Sequence, residues 1–173
     1  MIQTENNPVT HDVATLKVRR VGRIEPARVF ALLGDAAWLG ELVGPATAGR
    51  DEPAPGTRRY VTDLVVPLPP EGRLLQFRKA AYVDLGPATI GPTGGRVPIA
   101  WRSASLAPLF PVFAGHLSVS REELAIEGHY APPGGAIGMA ADRVLLHIAA
   151  RGTGRWFLDR LADAAGVEGP RAV

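Results

Sequence analysis

Cysteine is missing from the 173 residues, and with it go disulfides, thiolate nucleophiles and every zinc site that relies on sulfur. Long apolar runs are missing as well. The best candidate, residues 106–115, is interrupted by Pro108 and Pro111 and is far shorter than the roughly 20 apolar residues of a membrane helix, so no membrane span is expected. Residues 1–12 carry Glu5, Asn6, Asn7, Pro8 and Asp12 and lack the apolar centre of a secretory signal, while the absence of cysteine fits the expectation of a cytoplasmic protein. Charge of one sign is not concentrated anywhere. The net charge of +2 comes from scattered arginines, with only Lys17 and Lys79 as lysines, and Arg19-Arg20 and Arg58-Arg59 are no more than pairs. A nucleic-acid surface shows a basic stripe with stacking aromatics, so no nucleic-acid partner is expected.

What is present is an ordinary globular mixture, 46% hydrophobic and 21% charged, in a length that suits one domain. The expected organisation is a loosely ordered start over 1–12, a single domain over 13–165 and a frayed C-terminal tail over 166–173. Residues 13–21 mix β-branched and long polar side chains and predict a strand. Pro26 suits the first position of a helix, Val29, Phe30, Leu32 and Leu33 give it an apolar face, and Gly34 ends it. Asp35 then predicts a second short helix through Ala36, Trp38, Leu39 and Leu42.

The middle of the chain alternates with period two between proline–glycine turns. Strands are predicted over 57–66, 73–85, 97–101, 113–119 and 124–130, with residues 86–95 as a loop. A tight reversal at Arg121 would set Val119 against Leu124, Leu117 against Ile126 and Phe113 against Tyr130. After Pro132-Pro133-Gly134-Gly135 the period becomes helical. The stripe Ile137, Ala141, Val144, Leu145, Ile148, Gly152 and Trp156, widened by Phe157 and Leu161, predicts a long helix over 136–165.

Residues 25–33 with Trp38, then Gly128-His129-Tyr130-Ala131-Pro132-Pro133, Gly135, Gly138, Asp142, Phe157-Leu158 and Leu161-Ala162, give the chain a likeness to known proteins. It resembles the SRPBCC superfamily of START lipid-transfer domains, birch-pollen-allergen-like proteins and polyketide cyclases. The resemblance implies an α+β helix-grip fold, a curved antiparallel β-sheet wrapped around a long C-terminal α-helix, with two short helices after the first strand. It also implies an internal cavity between sheet and helix for a small hydrophobic or amphipathic ligand. It carries over no catalytic residue.

Motifs for chemistry are weak. Gly152-Thr153-Gly154 lacks the third glycine and the preceding strand of a dinucleotide fingerprint, and residues 91–96 lack the ending of a phosphate loop. No nucleophile elbow is written. His116 and His129 fall on the polar parity of the last hairpin without a third ligand, and His147 reads as surface, so neither metal nor cofactor is expected. Glu122-Glu123 and the pair Asp159 and Asp163 read as solvated charge.

The remaining polar and aromatic members of the apolar faces mark the cavity. Expected to line it are Tyr60, Phe77, Lys79, Trp101, Phe113, Tyr130, Leu145 and Ile148, with glycines 128, 135, 138, 152 and 154 leaving space where sheet meets helix. Lys79 on an apolar face must be paired, turned out by a bulge or facing a ligand, and the bulge is the expectation. Three functions fit: a carrier of a small hydrophobic molecule, a polyketide cyclase-like enzyme, or a protein-interaction module.

Overall fold

The computed structural model describes residues 14–42, 53–68, 75–104, 112–131 and 142–173. Strand β1 (Ala14–Val21) leads into helix α1 (Pro26–Gly34), with Pro26 in the first turn as expected. The second expected helix is a single 3-10 turn, Ala36–Trp38, followed by a two-residue strand β2 (Glu41–Leu42). Gly40 explains the change of course. A Cβ there would lie 3.1 Å from Cβ of Thr62 and closer still to the Val61 carbonyl, so the backbone is pressed onto the next strand rather than coiled.

Strands β3 (Arg58–Leu68), β4 (Leu75–Leu85), β5 (Thr89–Gly91), β6 (Gly94–Ser103), β7 (Val112–Ser120) and β8 (Glu123–Ala131) complete an antiparallel sheet. The order across it is β1-β8-β7-β6-β4-β3-β2, with β5 on β6. The expected loop over 86–95 thus contains a small hairpin. Gly94, at φ +156°, supplies the backbone conformation its turn requires, and a side chain there would strike the carbonyl of Val119.

The last hairpin has the anticipated register, Val119 on Leu124, Leu117 on Ile126 and Phe113 on Tyr130. Its two-residue loop is held by the Ser120 hydroxyl, which accepts from the backbone N–H groups of Glu122 (3.3 Å) and Glu123 (3.0 Å). His116, Glu127 and His129 face solvent, and Lys17 pairs with Glu127 at 2.5 Å across the outer face. That ammonium holds the Glu127 carboxyl below its usual range, mainly through the hydrogen bond.

Helix α2 (Asp142–Ala165) lies against β3, β1 and β8. The expected beginning at 136 lies outside the described residues. Its buried stripe is Ala149, Ala150, Gly152, Thr153, Gly154, Phe157, Leu158, Leu161, Ala162 and Ala165. Ile148 and Trp156 are only half-buried, so the helix is turned from the phase that their large side chains predict. Small residues win the seam because they let the backbone approach: a Cβ on Gly154 would touch Cγ2 of Val18 at 3.1 Å.

The same contact corrects the expectation that glycines hollow out the seam. Gly115 and Gly128 pair across β7 and β8, and the Phe113 ring fills the space above them, its Cζ 2.7 and 2.8 Å from where their Cβ atoms would be. A Cβ on Gly115 would also drive into the Glu127 carbonyl. Gly115→Ala is therefore expected to cost about 1–3 kcal/mol or more, as overpacking does, and a denaturant titration measures it.

The tail does not fray. Gly166, at φ +69°, ends α2 with Val167 N–H donating back to the Ala162 carbonyl at 2.8 Å. The chain then runs beside the free edge of β1, where Arg19 and Val173 exchange both backbone hydrogen bonds, at 3.0 and 2.9 Å. Asp159 and Asp163 are not merely solvated. Arg20, 4% exposed, places Nη1 2.6 Å from Asp159 and Nη2 3.7 Å from Asp163, while the Ala172 N–H donates to Asp159 at 3.0 Å. The two carboxylates tie helix, first strand and tail together.

Candidate functional site

Successive register pairs draw one line across the sheet: Leu42, Tyr60, Val83, Trp101, Phe113, Tyr130 and Ala14. Tyr60, Trp101, Phe113 and Tyr130, all expected at the cavity, are therefore neighbours in one row. Each is at most 5% exposed. The strands place them there by alternation, since each shares the parity of its strand's buried residues.

Within the row, the Trp101 and Phe113 rings stack with centroids 4.0 Å apart and planes inclined by 19°. The Trp101 Nε1–H is buried and has no hydrogen-bond acceptor among the described residues. An unsatisfied buried donor costs about 1–3 kcal/mol, so such groups are uncommon where no partner exists in the working state. Thr153, fully buried on the facing helix, carries a hydroxyl that likewise has no partner among the described residues.

At the β8 end of the row the Tyr130 hydroxyl lies 3.0 Å from Nδ1 of His147. The phenol donates when that nitrogen is unprotonated. His147 is exposed, as expected, yet it is also half of a polar pair at the sheet–helix seam. The predicted stripe gave no signal for it: with 3.6 residues per turn, position 147 falls toward the polar side of that stripe, and only the observed turn of the helix brings it to the seam. Burial pushes the Tyr130 phenol above its ordinary pKa of 10.0. The native state then keeps this proton at a pH where the unfolded chain has lost it. Stability from Tyr130 is complete below about pH 10 and falls as pH rises through the raised value. Tyr130→Phe should flatten that alkaline decline in denaturant titrations.

Ile148 is half-buried, whereas the side chains of Phe77, Lys79 and Leu145 lie outside the described residues. The backbone still corrects one expectation about Lys79. Every residue from Arg58↔Leu85 to Leu68↔Leu75 is paired without a skipped position, with Lys79 opposite Leu64. No bulge reverses the alternation, so residue 79 keeps the parity of Ala81, Val83 and Leu85.

Two surface depressions are lined by described residues and neither belongs to this row. One, of about 890 Å³, lies at the start of α1; the other, of about 610 Å³, lies between Trp156, Arg160 and the β2–β3 edge. Among the described residues no three His, Cys, Asp or Glu are grouped to hold a metal ion, and no helix is long and apolar enough to cross a membrane. Comparison with protein-family models finds none that matches the chain, and comparison with curated proteins finds no match either.

Proposed function

We propose that this chain binds or carries a small hydrophobic or amphipathic ligand between the inner face of the sheet and α2, as an SRPBCC-type helix-grip protein. The single observation that carries the reading is the buried Nε1–H of Trp101, in the middle of an aromatic row and without an acceptor among the described residues. A mostly apolar wall with a few unspent hydrogen-bonding groups is the usual make-up of a small-molecule site. The strand order and the helix laid on the sheet support the same reading. The ligand would be apolar in bulk with one carbonyl or hydroxyl oxygen to meet Trp101.

The second reading, a polyketide cyclase-like enzyme, is favoured by the Tyr130–His147 pair, two ionisable groups in contact at the end of the row. Titration with Nile red and with neutral long-chain and polycyclic ketones, following tryptophan fluorescence and melting temperature, tests binding. Saturable binding that Trp101→Phe weakens is expected. A panel in which nothing binds removes both the carrier and the enzyme. Turnover of a poly-β-ketone that Tyr130→Phe abolishes would select the enzyme.

A further inference from the structure

We infer that the groove at the start of α1 is a second site, which takes a phosphate monoester carried on an apolar body, recognised by Arg23, Arg28 and Arg121. The groove measures about 890 Å³, within the roughly 300–1,000 Å³ of small-molecule sites. Its walls come from separate parts of the chain: Arg23 after β1, Arg28 and Phe30 on α1, Ile90 on β5, and Arg121 in the β7–β8 loop. The Ile24 N–H donates to the Arg121 carbonyl at 2.9 Å, which fixes that loop against the approach to α1.

The charges do not cancel. Three arginines line the groove against a single carboxylate, Glu25, so three positive less one negative leaves +2. Several arginines elsewhere find partners: Arg20 and Arg171 on Asp159, Arg58 on the carbonyls of Leu33 and Gly34, Arg160 on the carbonyl of Trp38. Arg96, Arg151 and Arg155 have no hydrogen bond or ion pair among the described residues, but they lie outside this groove. No side-chain hydrogen bond or ion pair engages Arg23, Arg28 or Arg121 among the described residues. Guanidinium forks match phosphate oxygens in pairs, and a phosphate monoester carries about −1.5 to −2 near pH 7, which balances the lining. A carboxylate would neutralise half of it.

The apolar part of the ligand follows from the other wall. Ile90 is 63% exposed beside Phe30, an apolar surface with nothing over it among the described residues. The N-terminus of α1 also opens on the groove, but its N-cap is Glu25, whose carboxylate offsets the positive helix end, so the helix adds little to the field. The arginines carry the inference. This site is independent of the one proposed between sheet and helix, since it shares none of its residues.

Isothermal titration calorimetry with hexyl phosphate, inorganic phosphate, hexanoate and hexanol tests it, alongside sedimentation with phosphatidylcholine vesicles containing phosphatidic acid. Hexyl phosphate should bind at least about ten-fold tighter than any of the other three, the loss of a hydrogen-bonded charge pair being worth that much. Arg28→Ala and Arg121→Ala should each weaken it about ten-fold or more. Arg155→Ala, an exposed arginine on α2 outside the groove, and Trp101→Phe should leave it unchanged. Circular dichroism melts verify that each variant is folded. Vesicle binding that the same two substitutions abolish would make the ester a lipid headgroup; hexyl phosphate binding without vesicle binding would make it a soluble metabolite. The inference is overturned if hexyl phosphate fails to bind, if hexanoate binds equally well, or if binding ignores Arg28 and Arg121.

Discussion

Truncating Ile126 to alanine is expected to destabilise the protein by about 2–5 kcal/mol, whereas His129→Ala, three residues on, should cost little. Ile126 is fully buried and has a buried partner on each side, Val18 on β1 and Leu117 on β7. Leu117 in turn faces Val97 on β6, so the truncation opens a gap in the middle of a four-strand apolar row. Collapse cannot close that gap cheaply, because α2 already rests on Val18 through Gly154. His129 points to solvent between Thr15 and Ala114. Urea titrations of the two variants measure the ranking, and a larger loss for His129→Ala would mean that the hairpin faces are exchanged.

Asp159→Ala should cost about 3–5 kcal/mol, because it strands a buried guanidinium. Arg20 retains Asp163 at 3.7 Å and the Val167 carbonyl at 3.3 Å, which places the expected loss toward the lower end. The substitution also removes the acceptor for the Ala172 N–H and one carboxylate of Arg171. Hydrogen exchange at Ala172 and Val173 should therefore accelerate while the β7–β8 amides stay protected. Replacing both partners, Arg20→Met with Asp159→Leu, should recover much of the stability, since a well-packed apolar pair often matches a buried ion pair. Failure of the double variant to improve on Asp159→Ala would mean that the tail contacts, not the stranded charge, carry the loss.

The strands and the last hairpin were legible in the sequence because alternation fixes facing once a two-residue loop fixes register. Phe113, Trp101, Tyr60 and Tyr130 could therefore be assigned inward one strand at a time. Their alignment in a single row could not, because it depends on the register of every strand pair at once. The phase of α2 misled for a different reason. Ile148 and Trp156 are large apolar residues left half-buried, while close approach to β1 buries Gly154 and the alanines beside Phe157, Leu158 and Leu161. Asp159 and Asp163 read as surface because their partner, Arg20, lies 139 residues away from Asp159 in the chain. The tail looked unstructured since its order comes from the free edge of β1, not from any pattern of its own. Arg23, Arg28 and Arg121 looked scattered for the same reason: only the fold brings them to one groove.

The central claim, that Trp101 presents its indole N–H to a ligand between sheet and helix, is tested most directly by the Nε1–H resonances of the three tryptophans in a ¹⁵N–¹H spectrum. Trp101→Phe assigns its signal, and Trp38, whose Nε1–H donates to the Leu32 carbonyl at 2.9 Å, serves as an internal reference for a bonded indole. In the ligand-free protein the Trp101 proton should resonate upfield of that of Trp38. It should then move downfield on saturation with a long-chain or polycyclic ketone while Trp38 stays in place. A Trp101 resonance that no such ketone shifts, at concentrations where the protein's own amides are unperturbed as well, would contradict it.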